Sequence, residues 1–258
     1  MQGIRNISII ARITMLEGSR KQVFHVLVLF AMFLIFGSAT LAKFDQHVQV
    51  KMLNDLCLFS IFFVSAIIAI TVTVTGLPGE VEQKTIYPIV AKPVRRSEFV
   101  LGKYFGAMGT VVVGMAIMTT AYMFLQWFYL GHLQPATLYI VLVLLEETAL
   151  IAAISLCLST VCSWPLAWFL SVTLVAMGNM KFALYDSLMS KHQNAFNSVT
   201  ILAIYHLLPN LESFNFKDAL VHDLYVPNAY IVQTVIYGFM YTSAILTLAI
   251  AGFAKKEL

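Results

Sequence analysis

Long apolar runs alternate with short polar islands along the whole chain. Runs of about 20 residues, the length that crosses a bilayer core, lie at residues 22–42, 53–77, 104–130, 136–161, 165–185 and 229–254. They predict six transmembrane helices. The first run is longer than the apolar part of a secretion signal. No small-residue cleavage site followed by a soluble domain comes after it, so it reads as a retained span. Residues 1–21 place Ile4, Ile7, Ala11 and Met15 on one helical stripe beside Arg5 and Arg12. That pattern predicts an interfacial helix, and Ile9, Ile10, Ile13 and Leu16 widen its apolar side enough to pack on protein as well. Gly76-Leu77-Pro78-Gly79 breaks the second run. Pro88 and Pro93 then divide the loop at 78–103 into short helix, break and short helix, with Ser97 placed to cap the second piece. The stretch 186–228 is polar at both ends. Its apolar middle, 199–208, is too short to span, so it reads as a re-entrant or extracytoplasmic segment. The aromatic cluster Trp127, Phe128 and Tyr129 suits the headgroup level. The expected architecture is an all-α integral membrane protein, one domain over 1–258.

Composition supports this. Of 258 residues, 60% are hydrophobic and only 11% charged, where a soluble domain is nearer a quarter charged. Sixteen Lys and Arg residues outnumber thirteen acids, and their placement orients the chain. With both termini inside, eleven positives face the cytoplasm: Arg5, Arg12, Arg20, Lys21, Lys84, Lys92, Arg95, Arg96, Lys103, Lys255 and Lys256. Five face outward: Lys43, Lys51, Lys181, Lys191 and Lys217. This is the positive-inside bias, and it predicts a multi-pass protein of the cell (inner or plasma) membrane. The three cysteines lie in or beside apolar runs and read as small buried hydrophobes, and the six histidines are scattered singly. No metal spacing or disulfide framework is seen. No nucleic-acid partner is expected.

The central loop carries the most specific residues. Glu80-Val81-Glu82-Gln83-Lys84-Thr85 is followed by Ala91-Lys92-Pro93-Val94-Arg95-Arg96-Ser97-Glu98 and then Gly102-Lys103. This resembles the cytoplasmic loop of ABC-2-type permeases, with Lys84-Thr85-Ile86 where the family more often has Gly-Thr-Leu. Glu17-x-x-Arg20 is similar to the family's connecting helix. Leu208-Pro209-Asn210-Leu211-Glu212 resembles the branch that includes the permease linked to copper-enzyme (nitrous oxide reductase) maturation. The resemblance implies a six-span subunit that dimerises with a second copy or a paralogous permease, binds two copies of a separate ABC ATPase, and acts as an exporter. It implies that Glu80, Glu82, Thr85, Arg95, Arg96 and Glu98 couple to that ATPase. The same charges read otherwise as a solvated loop with a lipid-headgroup anchor. The chain has no phosphate-binding Gly-x-x-x-x-Gly-Lys-Ser/Thr loop. It is therefore expected to bind no cofactor itself, with ATP and Mg in the partner. An extracytoplasmic partner is allowed for, and the substrate stays open among sulfur, metal, lipid, peptide and drug species.

Glu146 and Glu147 lie about ten residues into the fourth run. A mid-membrane acid costs a few kcal/mol unless it is neutral, paired or facing water. Either these acids line a translocation path, or they specify packing by bonding hydroxyls such as Thr71, Thr73, Thr119 or Thr120. Adjacent helical residues point about 100° apart, so the two should not share one job. A double glutamate also suggests an intramembrane protease, but Ile151 stands where that chemistry needs Arg, and His206 is the nearest candidate partner. A non-transporting anchor or assembly subunit is a further alternative.

Overall fold

The computed structural model describes residues 2–38, 46–76, 95–132, 134–182, 186, 208–216 and 227–254. Among the described residues there are seven α-helices, one 3₁₀ turn and no strand. The helices are α1 (Gln2–Arg20), α2 (Gln22–Ser38), α3 (Gln46–Gly76), α4 (Arg96–Leu130), α5 (Ala136–Val161), α6 (Trp164–Asn179) and α7 (Asn228–Ala254); the turn is Glu212–Phe214. Four helices are long and apolar enough to cross a membrane: Val50–Gly76 in α3, all of α4 and α5, and Ala229–Ala254 in α7. The α1–α2 pair, bent by 61° at Lys21, passes the same test together and makes a fifth candidate. α6 is apolar but has only 16 residues.

The helix boundaries depart from the sequence pattern where a polar segment stays helical. The second short helix expected in the loop is no separate piece. It is the first part of α4, which runs unbroken for 35 residues, because no proline follows Pro93 until Pro135. At 1.5 Å per residue α4 is about 52 Å long, well beyond a hydrocarbon core of about 30 Å. Its only charges, Arg96, Glu98 and Lys103, lie in its first eight residues, so the overhang is the charged end. Arg95, with extended backbone, holds the N-cap position expected of Ser97, which sits one residue inside the helix. The first loop helix and nearly all of the 199–208 stretch lie outside the described residues.

α3 and α5 form the centre of the bundle, with 78% and 67% of their most apolar windows buried; α7 lies at the edge, with 11%. α3 and α4 run antiparallel. Gly76 at the end of α3 faces Lys103 near the start of α4, and Asn54 near the start of α3 bonds Tyr122 near the end of α4. α5 and α7 instead run parallel: Gly238 packs on Glu146, and Gly252, fourteen residues on, packs on Thr160, fourteen residues on.

α1 lies along the charged half of α4. A Cβ at Gly106 would stand 2.5 Å from Thr14 Cβ and 2.7 Å from the Ala11 carbonyl oxygen, so only glycine admits this approach. The packed face of α1 centres on Ala11, Thr14 and Gly18. Ile4, placed in the apolar stripe by periodicity, is instead 78% exposed, and Ile9, Ile13 and Leu16 are exposed with it. The amphipathic helix thus has one face on protein and a second apolar face, beside Arg5 and Arg12, free to lie in an interface.

Candidate functional site

Three sets of polar residues interrupt the apolar bundle, at three depths. The first lies where α4 begins. Glu98 Oε2 accepts a hydrogen bond from Asn6 Nδ2 of α1 at 2.9 Å and faces the Arg95 backbone N–H at 3.4 Å. Arg96 reaches across to the C-terminus of α7, its Nη1 donating to the carbonyls of Ala254 at 2.7 Å and Phe253 at 3.3 Å. The negative end of the helix dipole favours a cation there. Below this clasp the rings of Phe99 and Phe253 stack at 5.8 Å, and the Lys103 ammonium lies 5.7 Å from the Phe99 centroid. At the end of α3, Lys21 pairs with Glu17 at 3.2 Å and donates to Thr75 at 3.2 Å.

Of the loop residues singled out in the sequence, Arg96 and Glu98 are therefore engaged within the chain, tying α4 to α7 and to α1. Arg95 is exposed. Glu80, Glu82 and Thr85 lie outside the described residues.

The second set is at mid-span. Glu147 is 1% exposed. Its neighbour Thr148 lies against Met115 of α4, so this side of α5 faces the bundle. Glu146, half-buried, points instead to α7. The two acids part as the helical twist requires. Of the four hydroxyls considered as their partners, Thr73 donates to Ala69, Thr120 donates to Ala116 and Thr71 accepts from the Trp168 indole, while the buried Thr119 hydroxyl has no hydrogen-bond partner among the described residues.

Residues 208–216 come down beside Glu146. Lys181 Nζ donates to the Leu208 carbonyl at 2.9 Å, and the Phe182 N–H donates to Glu212 Oε2 at 3.1 Å, fastening the segment to the end of α6. The Asn210 N–H donates to Tyr237 Oη at 2.9 Å, fastening it to α7. Leu211 fills a notch at Gly178, where a Cβ would stand 2.9 Å from it. Phe214, fully buried, ends against Gly238. Gly238 is ten residues into α7, about 15 Å along its axis. The segment therefore reaches inward to the level of Glu146.

The third set, at the ends of α3 and α4 far from Arg96, was not singled out from the sequence. Tyr122 donates to Asn54 Oδ1 at 2.9 Å; Gln126 Nε2 reaches Tyr122 Oη at 2.9 Å and Thr137 Oγ1 at 3.0 Å. All four residues are at most 2% exposed. The signal was present in part: Tyr122 and Gln126 are one helical turn apart inside an apolar run. Nothing in the pattern says that Asn54 and Thr137 meet them.

No cluster of three or more His, Cys, Asp or Glu side chains suited to a metal is found among the described residues. The chemistry on offer is that of a bundle with charged joints at one end and two adjacent acids at mid-depth. Compared with known families, the ABC-2 family transporter protein profile matches residues 8–258.

The chain belongs to the ABC-2 family of transporter proteins.

No curated protein matches it. Membership makes the chain a membrane permease subunit of an ABC transporter, a transport rather than a catalytic subunit, with an ABC ATPase as its general partner. The protease and plain-anchor readings of the sequence give way to this one. The apolar helices of this ABC-2 protein fit a multi-pass membrane location.

Proposed function

We propose that this permease crosses the membrane six times with both termini cytoplasmic, pairs with a second copy or a paralogous permease, and exports its substrate. ATP and Mg are held by two copies of a separate ATPase that docks on the loop at 78–103. The observation that carries this reading is the joint at the head of α4. A force on the loop at Arg95 enters a helix fastened to α1 through Glu98–Asn6 and to α7 through Arg96. The other end of the loop leaves α3 beside the Lys21–Thr75 bond. Movement there is carried into four helices at once, which suits a stroke supplied from outside the membrane. The parallel course of α5 and α7 supports the span count. Two parallel neighbours need an odd number of crossings between them, and α6 is the apolar helix available. α2 supplies the remaining crossing before α3. The outer stretch 208–214 supports a place near the permease linked to nitrous oxide reductase maturation.

In this reading Glu80, Glu82, Thr85 and Arg95 meet the ATPase, while Arg96 and Glu98 carry its motion inward. Reversing Glu80 and Glu82 together to Lys leaves charges on the partner unpaired, a loss of roughly 2–5 kcal/mol, or at least tenfold in affinity. The expected result is release of the ATPase, or hydrolysis uncoupled from transport, with the spans still inserted. Reversal of Lys43 and Lys51, on the opposite face, should change neither. Co-purification and substrate-stimulated hydrolysis measure both; unchanged assembly and coupling in the Glu80/Glu82 variant would refute the docking site.

A further inference from the structure

Glu146 meets α7 at Gly238, beside the Phe214 ring. A Cβ at Gly238 would lie 2.8 Å from Glu146 Oε1 and 2.9 Å from Phe214 Cζ, so the carboxylate and the ring approach the same point on α7. Phe214 and Tyr237 have ring centroids 6.2 Å apart, and Tyr237 and Tyr241 5.6 Å. The rings thus continue from Phe214 along α7 on the side where the acid packs. Glu146, Tyr237 and Tyr241 all keep part of their surface open.

Among the described residues, the elements packed on this acid bring it no cation. The sequences of α5 and α7 contain no Lys or Arg, and neither do residues 208–216. A carboxylate at this depth is expensive to keep without a partner. Aromatic faces attract cations and repel anions, the more strongly where water is scarce. One carboxylate with three rings is a poor site for a bare metal ion, which needs several oxygen ligands. It suits a cation whose charge is spread over, or shielded by, an apolar body.

We propose that the Glu146–Phe214–Tyr237–Tyr241 notch binds the cationic group of the transported molecule, an organic ammonium or comparable cation with an apolar body. This rests on the permease reading above and narrows its substrate class. Glu146 supplies the countercharge, the part-open rings of Tyr237 and Tyr241 supply the faces, the buried Phe214 backs them, and Gly238 leaves the space that lets acid and ring converge.

The test uses the permease assembled with its ATPase in lipid nanodiscs, in preparations that hydrolyse ATP. The probe is radiolabelled tetraphenylphosphonium. Saturable binding is expected, weakened about tenfold or more by Glu146→Gln. Phe214→Leu and Tyr241→Leu keep the carboxylate and most of the apolar volume, and each should weaken binding several-fold. Tetraphenylborate, of the same shape and opposite charge, should not compete. The proposal is overturned if no saturable binding is found, if the borate competes equally, or if binding is unchanged in Glu146→Gln. If Glu146→Gln does not assemble, unchanged binding in both ring variants overturns it instead. Failure of the chain to join any ATPase would count against the permease reading; because the assay begins from a hydrolysing complex, its outcomes bear on the notch alone.

Discussion

At the level of single residues, the bundle is most sensitive where a polar group or a glycine has been fitted among apolar neighbours. Gln126 is one such place. Its amide meets Tyr122 and Thr137 in a region with no solvent contact. Gln126→Leu keeps the volume and removes the partner, leaving buried hydroxyls unsatisfied at about 1–3 kcal/mol each. A lower melting temperature in detergent is expected, with Thr137→Val in the same background recovering part of it. Gly238 is another. Any side chain there must displace Glu146 or Phe214, and the Gly238→Val variant should lose about 1–3 kcal/mol through overpacking. Trypsin cleavage after Lys181 or Lys217, faster than in the parent protein, would report that residues 208–216 have come away.

Between helices, the same logic explains what the sequence could and could not say. The apolar runs placed α5, α7 and the ends of α3 and α4 to within a residue, because crossing hydrocarbon demands length and composition that few other roles require, but α3 and α4 begin seven and eight residues before their runs. They overstated the breaks. The pattern sets Arg96, Glu98 and Lys103 in a short helix apart from the third span, yet Arg96 bonds α7, Glu98 bonds α1, Lys103 lies over Phe99, and one helix continues through them. The contacts of Glu98 and Arg96 join residues more than ninety positions apart, and periodicity within one helix carries no trace of them. The twist of one turn sufficed to separate Glu146 from Glu147; which neighbour each would meet depended on the packing of α7. The Arg96 clasp gives a prediction at this scale. In Arg96→Ala the last carbonyls of α7 lose their donor and their cation, about 1–2 kcal/mol. Hydrogen exchange should then rise in the final turn of α7 while the α5–α7 seam at Gly238 stays protected. Protection unchanged at residues 250–254 would show that the clasp contributes nothing. Gly106→Leu acts on a different joint. It should lift α1 from α4, exposing Thr14 to cysteine-directed labelling after Thr14→Cys.

Across the whole molecule, direction is the property that several local contacts fix together. The end of α3 meets the start of α4 and the kink after α1, so Gly76, Arg96 and Lys21 share one side. The Arg96–Ala254 bond adds the end of α7 to that side, and the Gly252–Thr160 contact adds the end of α5. Asn54, Gln126 and Thr137 mark the other side. α6 starts at Trp164 on the first side, and at its far end Lys181 and Phe182 hold residues 208–216, which rest on the early part of α7. The proposed crossing by α6 therefore has both of its ends accounted for, although the helix is only about 24 Å long. The segment seated at Gly178 and Gly238 fills the shortfall on that side. Among the described residues the positive charges cluster on the side of Arg96, the side proposed to be cytoplasmic under the positive-inside rule. Single cysteines in a cysteine-free background test this directly. In intact cells a membrane-impermeant maleimide should label Lys217→Cys and spare Lys92→Cys; after the cells are opened, both should react. Labelling of Lys92→Cys in intact cells would invert the orientation. It would place the proposed ATPase contacts where no ATP is available, and the docking role of the loop would fall with it.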